Sequence, residues 1–542
     1  MENGLDNRFR QQSAMIRKQK NREKIEMRNL RKITAFLCVF VMVVMIVPVP
    51  SVNAAVKKQY TISGRVIKPV VKKGKDISKN VNAALKAATA KAKSNKIYTV
   101  KIPAGTYYIT ESLKIWSNTV LDATGATIKA KNGEFNMIAT GSAEDNQKAK
   151  GYSAYKNITV KGGKWINTKS NRASAVRFCH GFNITLKNVD LSHGSEKHMV
   201  EMAAVNGVKI TGCNFHDSDV KDIDDKCEAV QLDICANEGA YSNIVYDGTP
   251  CKNITIDRNT FKNVSRGVGT HSMLLNSYIE NVKITNNEFV NVAQEGIACV
   301  NYVNSLISGN TMENVGGGIL FHFSKTSYKS VYTAIYNGKK PYTASIRTNA
   351  NTVIENNRIE TRYHKICDKN VGIELYGREL KQDETGADGG KIPAADYYVE
   401  GVIVRNNEIL ASGYGINLND AKNNQIISNK INGVNYDSAD PQDGQYNGIR
   451  VSTGSTGNVI NDNEISGIRH TGIFIYDHAS ATTVDGNIVK DCSAYGIRLN
   501  NDCQVTQSMK NNTVSGCPQG AILDGSKTGC FVEGGIADNV IQ

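Results

Sequence analysis

An asparagine followed two positions later by an apolar residue returns along the chain at Asn259, Asn287, Asn310, Asn357, Asn407, Asn429, Asn463, Asn487, Asn512 and Asn539. Several intervals fall near 22 to 28 residues, and the longer ones hold insertions. A short x-I-x-I stretch precedes each asparagine, as in "KNITIDRNTF", "NVKITNNEF" and "EGVIVRNNEI". A second short stretch of the form G-[IV]-x-apolar-x follows, as in "EGIACV", "GGILFH", "VGIELY", "YGINLN" and "TGIFIY". A unit this small cannot bury its own apolar face. Units stacked as parallel coils give every strand hydrogen-bonded neighbours and one continuous core. Asparagine at one turn suits an αL or bridging conformation with amides laddering between coils. The glycine that opens the second strand suits a corner needing positive φ.

The expected fold is therefore all-β: a single right-handed parallel β-helix over 95–542, of about a dozen coils. At ~4.8 Å per coil it makes a rod of roughly 60 Å. Residues 76–94, "DISKNVNAALKAATAKAKS", have helical composition and periodicity and are expected to cap the open N-terminal edge, within a lead-in segment of residues 55–94. Longer four-stranded units would be needed for a propeller, and the Leu-x-x-Leu-x-Leu signature of leucine-rich repeats is missing.

The formal charge is +14, of which residues 1–32, with ten Lys/Arg and four Asp/Glu, supply +6. That segment leads into "ITAFLCVFVMVVMIVPVPSVNAA", which reads as a signal peptide over residues 1–54, cut after Ala54, with an uncleaved membrane anchor as the alternative. Either way the bulk of the chain is expected outside the cell, secreted or surface-associated. Of twelve cysteines one, Cys38, lies in the apolar run, and none forms a CxxC metal pattern. Cys492, Cys503, Cys517 and Cys530 recur closely enough near the C-terminus to pair. No basic stripe with interleaved aromatics points to nucleic acid.

The stretch "IPAGTYYITESLKIWSNTVLDATGATIKA" (residues 102–130) and the following "NITVKGGKWINTKSN" resemble the entrance coils of the pectate-lyase-like superfamily, which includes the family 28 polygalacturonases and other proteins of the PbH1 repeat type. The resemblance implies a right-handed parallel β-helix acting on uronic-acid or other polysaccharides. Family 28 enzymes carry an NTD stretch, a DD pair, GHG and RIK on consecutive coils. Here Asp224 and Asp225 precede the strand in "DDKCEAVQLD", and His271 in "GVGTHS" falls near the GHG position, while NTD and RIK are missing.

Stacking the second strands as columns puts side chains of successive coils ~4.8 Å apart, with alternate positions facing outward. One outward column reads Glu201, Gln231, Gly269, Ala298, Leu320, Glu374; the next reads Ala203, Asp233, His271, Val300, His322, Tyr376. The corner reads His198, Glu228, Arg266, Glu295. Titratable groups thus gather on a few adjacent coils. Glu201 and Asp233 are expected about 8 Å apart, inside the ~6.5–9.5 Å separation of an inverting glycosidase.

Asp233 is the expected principal catalytic carboxylate, partnered by Glu201 or Glu228 and tuned by His271. Arg266 is expected to hold an acidic sugar in a bidentate contact. Gln231, Glu295, His322, His198, Glu374 and Tyr376 complete the expected substrate-binding set. Insertions at 235–251, 324–350 and 377–399 follow these strands and would wall the same face.

The leading expectation is a monomeric, exported glycoside hydrolase whose partner is a polysaccharide and which needs no cofactor or metal. A uronate lyase or epimerase, with Ca²⁺ or arginine neutralising the uronate, is the second reading. A non-catalytic surface carbohydrate-binding or adhesion solenoid is the third.

Overall fold

The structure, a computed structural model, describes residues 58–92, 96–131, 133–169, 171–194, 197–218, 227–239, 241–270, 272, 274, 277–323, 347–364, 367, 370–385, 391–434, 445–500, 503–525 and 537–542. The proposed signal or anchor segment, the DD pair at Asp224 and Asp225, His271, Cys530 and most of the 324–350 insertion lie outside the described residues.

Each repeat contributes one strand to each of three parallel stacks. The first stack begins Tyr98–Lys101, Thr119–Asp122, Tyr155–Lys161 and continues to Gln504–Ser508. The second runs from Gly105–Ile109 to Val540–Ile541. The third, which contains the G-[IV]-x-apolar-x strands, runs from Leu113–Ile115 to Gly520–Gly525 through thirteen successive parallel pairings, hence fourteen strands. A parallel β-helix of this height matches the repeat count in the sequence. The expected cap is present as helix α1, Ser78–Lys91, which buries Val81, Ala84, Leu85 and Ala88 against the first coil. An antiparallel hairpin, Tyr60–Ser63 with Val66–Pro69, extends the sheet N-terminal to the helix, because Val66–Pro69 pairs in parallel with Tyr98–Lys101.

The core repeats with the sequence. Phe215, Phe261 and Phe289 are register partners on successive coils, and their rings stack at 5.2 and 4.7 Å. The asparagine column is a ladder: the Nδ2 of each residue from Asn259 to Asn512 donates to the Oδ1 of the next, at 2.8–3.0 Å. The same Oδ1 also accepts the preceding asparagine's backbone N–H, as Asn407 does from Asn357 at 3.0 Å. These amides satisfy corner backbone groups that would otherwise be buried without partners.

Two local expectations are corrected. The αL conformation belongs to the residue before the ladder asparagines from Asn259 to Asn512, such as Asn286 (φ 54°), Asn356 (φ 55°) and Asn406 (φ 54°), not to the ladder residue. The glycines opening the third-stack strands do not need positive φ; they are required by close approach. A Cβ on Gly318 would sit 2.2 Å from the Gly372 carbonyl oxygen, and one on Gly372 would sit 2.6 Å from that of Gly415. In addition, Cys492 and Cys517 carry thiols that are not bridged to each other.

Candidate functional site

The third stack sets the site. Its register makes Arg177, Glu201, Gln231, Gly269, Ala298, Leu320, Glu374, Asn417, Arg450, Phe474 and Arg498 consecutive Cα partners. In the neighbouring column Ala203 pairs with Asp233, and Val300 with His322 and then Tyr376. Where their residues are described, the columns drawn from the sequence are therefore the columns of the fold. Their exposure is not what alternation suggested.

Glu228–Asp233 is buried at every position, so Gln231 and Asp233 do not face solvent. Strand alternation identifies the face on which a side chain lies but not what later packs over it. Asp233 is 0 % exposed and accepts from the Ser272 hydroxyl at 2.5 Å, from the Ser272 backbone N–H at 3.2 Å and from Gln231 Nε2.

The corner residues form one buried chain of polar contacts. His198 Nδ1 lies 3.1 Å from Glu228 Oε2, and Arg266 Nη1 donates to Glu228 Oε1 at 2.9 Å. Arg266 Nε donates to Glu295 Oε2 at 2.8 Å, and its Nη2 donates to Glu295 and to Gln294 Oε1. Burial alone would lower the Arg266 pKa, but Glu295 and Glu228 outweigh it and hold the guanidinium above its ordinary value. The expected role of Arg266 as a clamp on an acidic sugar is thus corrected, because its donors are spent on Glu228, Glu295 and Gln294.

Glu201 stands apart, since it faces a cleft of about 320 Å³ together with Glu134, Arg172, Arg177, Lys197 and Glu238. Arg177 Nε donates to Glu201 Oε2 at 2.8 Å, while its guanidinium lies 3.9 Å from the Tyr241 ring centroid and donates to the Ser242 carbonyl at 3.2 Å. Burial would lower the Arg177 pKa, but Tyr241 and Glu201 raise it above the ordinary value. The 235–251 insertion therefore walls the site as expected, and it does so by folding onto Arg177. The 377–399 insertion makes a small antiparallel pairing, Arg378–Leu380 with Ala395–Tyr397.

Further along the face, Glu374 is buried and accepts from Asn417 Nδ2 at 3.0 Å. His322 and Tyr376, both half-buried, have ring centroids 4.9 Å apart.

The C-terminal coils of the same face carry residues that lie outside the expected site. Arg450 lies 5.3 Å from the Tyr414 ring centroid and 5.6 Å from that of Tyr476. Arg498 lies 5.2 Å from both Phe474 and Tyr495, and the Phe474 and Tyr476 rings are 5.2 Å apart. Arg469 stands 5.9 Å from Tyr446, which meets Tyr414 edge-on at 4.9 Å. Tyr414, Arg450, Phe474, Tyr476, Tyr495 and Arg498 are all half-buried. The result is a stripe of alternating guanidinium groups and rings, assembled from coils far apart in sequence. The signal was in the columns, where Arg450, Phe474 and Arg498 follow one another, but no linear window contains it.

Residues 387–536 match the family model described as the right handed beta helix region. A curated relative, the plasmin and fibronectin-binding protein A of Streptococcus pneumoniae, is 23% identical over 316 residues, covering 53% of this chain and 44% of its own length. The match thus spans less than half of that relative. Among solved structures, the Streptococcus pneumoniae surface protein and adhesin PfbA is 19% identical, with 87% of this chain and 98% of that chain covered and a TM-score of 0.50. A mutant tailspike protein of E. coli bacteriophage HK620, solved with a pentasaccharide, is 13% identical, with 84% of this chain and 76% of that chain covered and a TM-score of 0.48. By its repeat and its register the chain has the right-handed parallel β-helix fold, and residues 387–536 match the family model of that fold.

Proposed function

We propose that the protein is a cell-surface or extracellular carbohydrate-binding solenoid of adhesive type, which takes an acidic polysaccharide along the Tyr414–Arg498 stripe without cleaving it. The observation that carries this reading is the division of one face into two parts. Two of the three candidate catalytic carboxylates, Glu228 and Asp233, are closed off and held internally by Arg266, Ser272 and Gln231, and the third, Glu201, is paired with Arg177. Coils that remain half-open present rings and guanidinium groups. Ring faces stack on sugar rings, and arginine pairs bidentately with uronate carboxylates. A general acid or base must reach its substrate, and Asp233 at 0 % exposure does not. The adhesive role named for the Streptococcus pneumoniae relative is consistent with this reading.

One observation favours hydrolysis as the second reading: Glu201, Glu238 and Glu134 share the 320 Å³ cleft. Titration calorimetry with a uronate oligosaccharide, a neutral oligosaccharide and a single-stranded oligonucleotide tests the stripe. Saturable binding of the uronate alone is expected, weakened at least about tenfold by Arg450→Ala together with Phe474→Ala. Equal binding by that variant would remove the stripe from the account.

A further inference from the structure

His180, Cys235 and Asp247 come from three separate segments and meet beneath the 235–251 insertion. Their ligating atoms all lie within 4.8 Å of one another. His180 sits at the corner where the third-stack strand turns into the first, with φ 47°, a conformation shared by Ala204 at the equivalent corner one coil on. This turn carries the imidazole under the insertion, where it is 0 % exposed. Cys235, equally buried, follows the strand Glu228–Asp233. Asp247 returns on the far side of the insertion, whose base is closed by Gly248 N–H to the Cys235 carbonyl at 2.9 Å and Cys235 N–H to the Thr249 carbonyl at 3.0 Å.

The imidazole is oriented as a ligand would be. Its Nδ1 lies 3.0 Å from the Gly151 carbonyl, and its Nε2 lies 3.2 Å from the Val245 carbonyl and 3.5 Å from Cys235 Sγ. A neutral imidazole carries one proton, so one ring nitrogen must turn a lone pair toward a carbonyl oxygen. With the proton on Nδ1, held by Gly151, the Nε2 lone pair is free for a cation. Gly151 also fixes the acid, since its N–H donates to Asp247 Oδ2 at 2.8 Å. In a tetrahedral site, bonds of ~2.3 Å to sulfur and ~2.0 Å to nitrogen place those two atoms about 3.5 Å apart. The observed Cys235–His180 separation is that edge.

We propose that His180 Nε2, Cys235 Sγ and Asp247 bind one zinc ion that clips the insertion onto the coil. One thiolate, one imidazole and one carboxylate form a donor set that suits zinc better than calcium or magnesium. Asp247 also lines an open cleft of about 500 Å³ with Tyr152, Lys252 and Glu280, which gives the ion a way in and its fourth position a water. No spacing motif announces the site, because the ligands are 55 and 12 residues apart in the chain. The metal site is separate from the Tyr414–Arg498 stripe and holds an ion in a chain expected to need none.

The test uses the chain freed of metal by a chelator, kept reduced, and titrated with zinc and then with cobalt(II). One zinc per chain should remain after gel filtration, and cobalt should give a thiolate-to-metal charge-transfer band. Cys235→Ser should abolish that band, and Asp247→Asn should weaken zinc at least about tenfold while keeping the circular dichroism of the native fold. Cys213→Ser, at a buried thiol elsewhere in the core, should leave both unchanged. Failure of the wild-type chain to retain zinc, or a cobalt band that persists in Cys235→Ser, overturns the proposal. If Cys235→Ser does not fold, unchanged zinc affinity in Asp247→Asn overturns it.

Discussion

Arg266 donates to Glu228 at 2.9 Å inside the solenoid wall, and both side chains are almost wholly out of solvent. Glu295 on one side and His198 on the other extend this pair into a four-residue chain across successive coils. Removing one partner of a buried pair leaves an uncompensated charge, which costs far more than the pair itself gains. Arg266→Met is therefore expected to destabilise the protein by about 3–5 kcal/mol in chemical denaturation. A loss below about 1 kcal/mol, the range of exposed pairs, would mean that water reaches Glu228.

The asparagine ladder makes a second stability prediction. Asn357 donates to Asn407 and to the Ile307 carbonyl, while its Oδ1 accepts from the backbone and side chain of Asn310. Alanine there strands buried donors on Asn310, at about 1–3 kcal/mol for each unsatisfied group. Denaturation of Asn357→Ala beside an exposed strand control such as Lys430→Ala measures the difference. Equal stability of the two variants would contradict a structural role for the ladder.

Much of this was legible in the sequence because the apolar core pins the register. Val230 and Leu232 occupy the core, so Gln231 must stack on Glu201 and Gly269, and it does. Coverage was not legible. Nothing in "CEAVQLDI" says that its second face is also buried, or that Tyr241, eight residues beyond the strand Glu228–Asp233, ends against Arg177. The αL residue was misplaced by one position because Asn286 and Asn287 are adjacent and chemically identical; only the backbone distinguishes them. The stripe was not singled out because its coils place no carboxylates in the stacked columns, and the ring-on-guanidinium contacts of Tyr414, Arg450 and Phe474 appear only once side chains are placed.

His470 reports on the stripe. Burial, and then the Arg498 cation, hold its pKa below the usual 6.5. The unfolded chain therefore takes up this proton first as pH falls. Neutral His470 contributes stability that is fully present above about 6.5 and is lost as pH drops toward the folded value. An acidic glycan bound beside Arg498 would offset that cation and raise the folded value. NMR titration of the imidazole with and without a uronate oligosaccharide is expected to show the rise, with tighter binding below pH 6.5. An unmoved His470 titration in the saturated complex would place the glycan elsewhere.

The measurement that bears most directly on binding without cleavage is a product assay run under conditions of proven binding. The wild-type chain is incubated with the uronate polymer it binds, and reducing ends, ultraviolet-absorbing unsaturated ends and polymer size are followed together. The account predicts a bound polymer of unchanged size with no new ends of either kind, and the same result for Asp233→Asn and Glu201→Gln. New ends released by the wild type and abolished in Glu201→Gln would contradict it and make the cleft at Arg177 an active site.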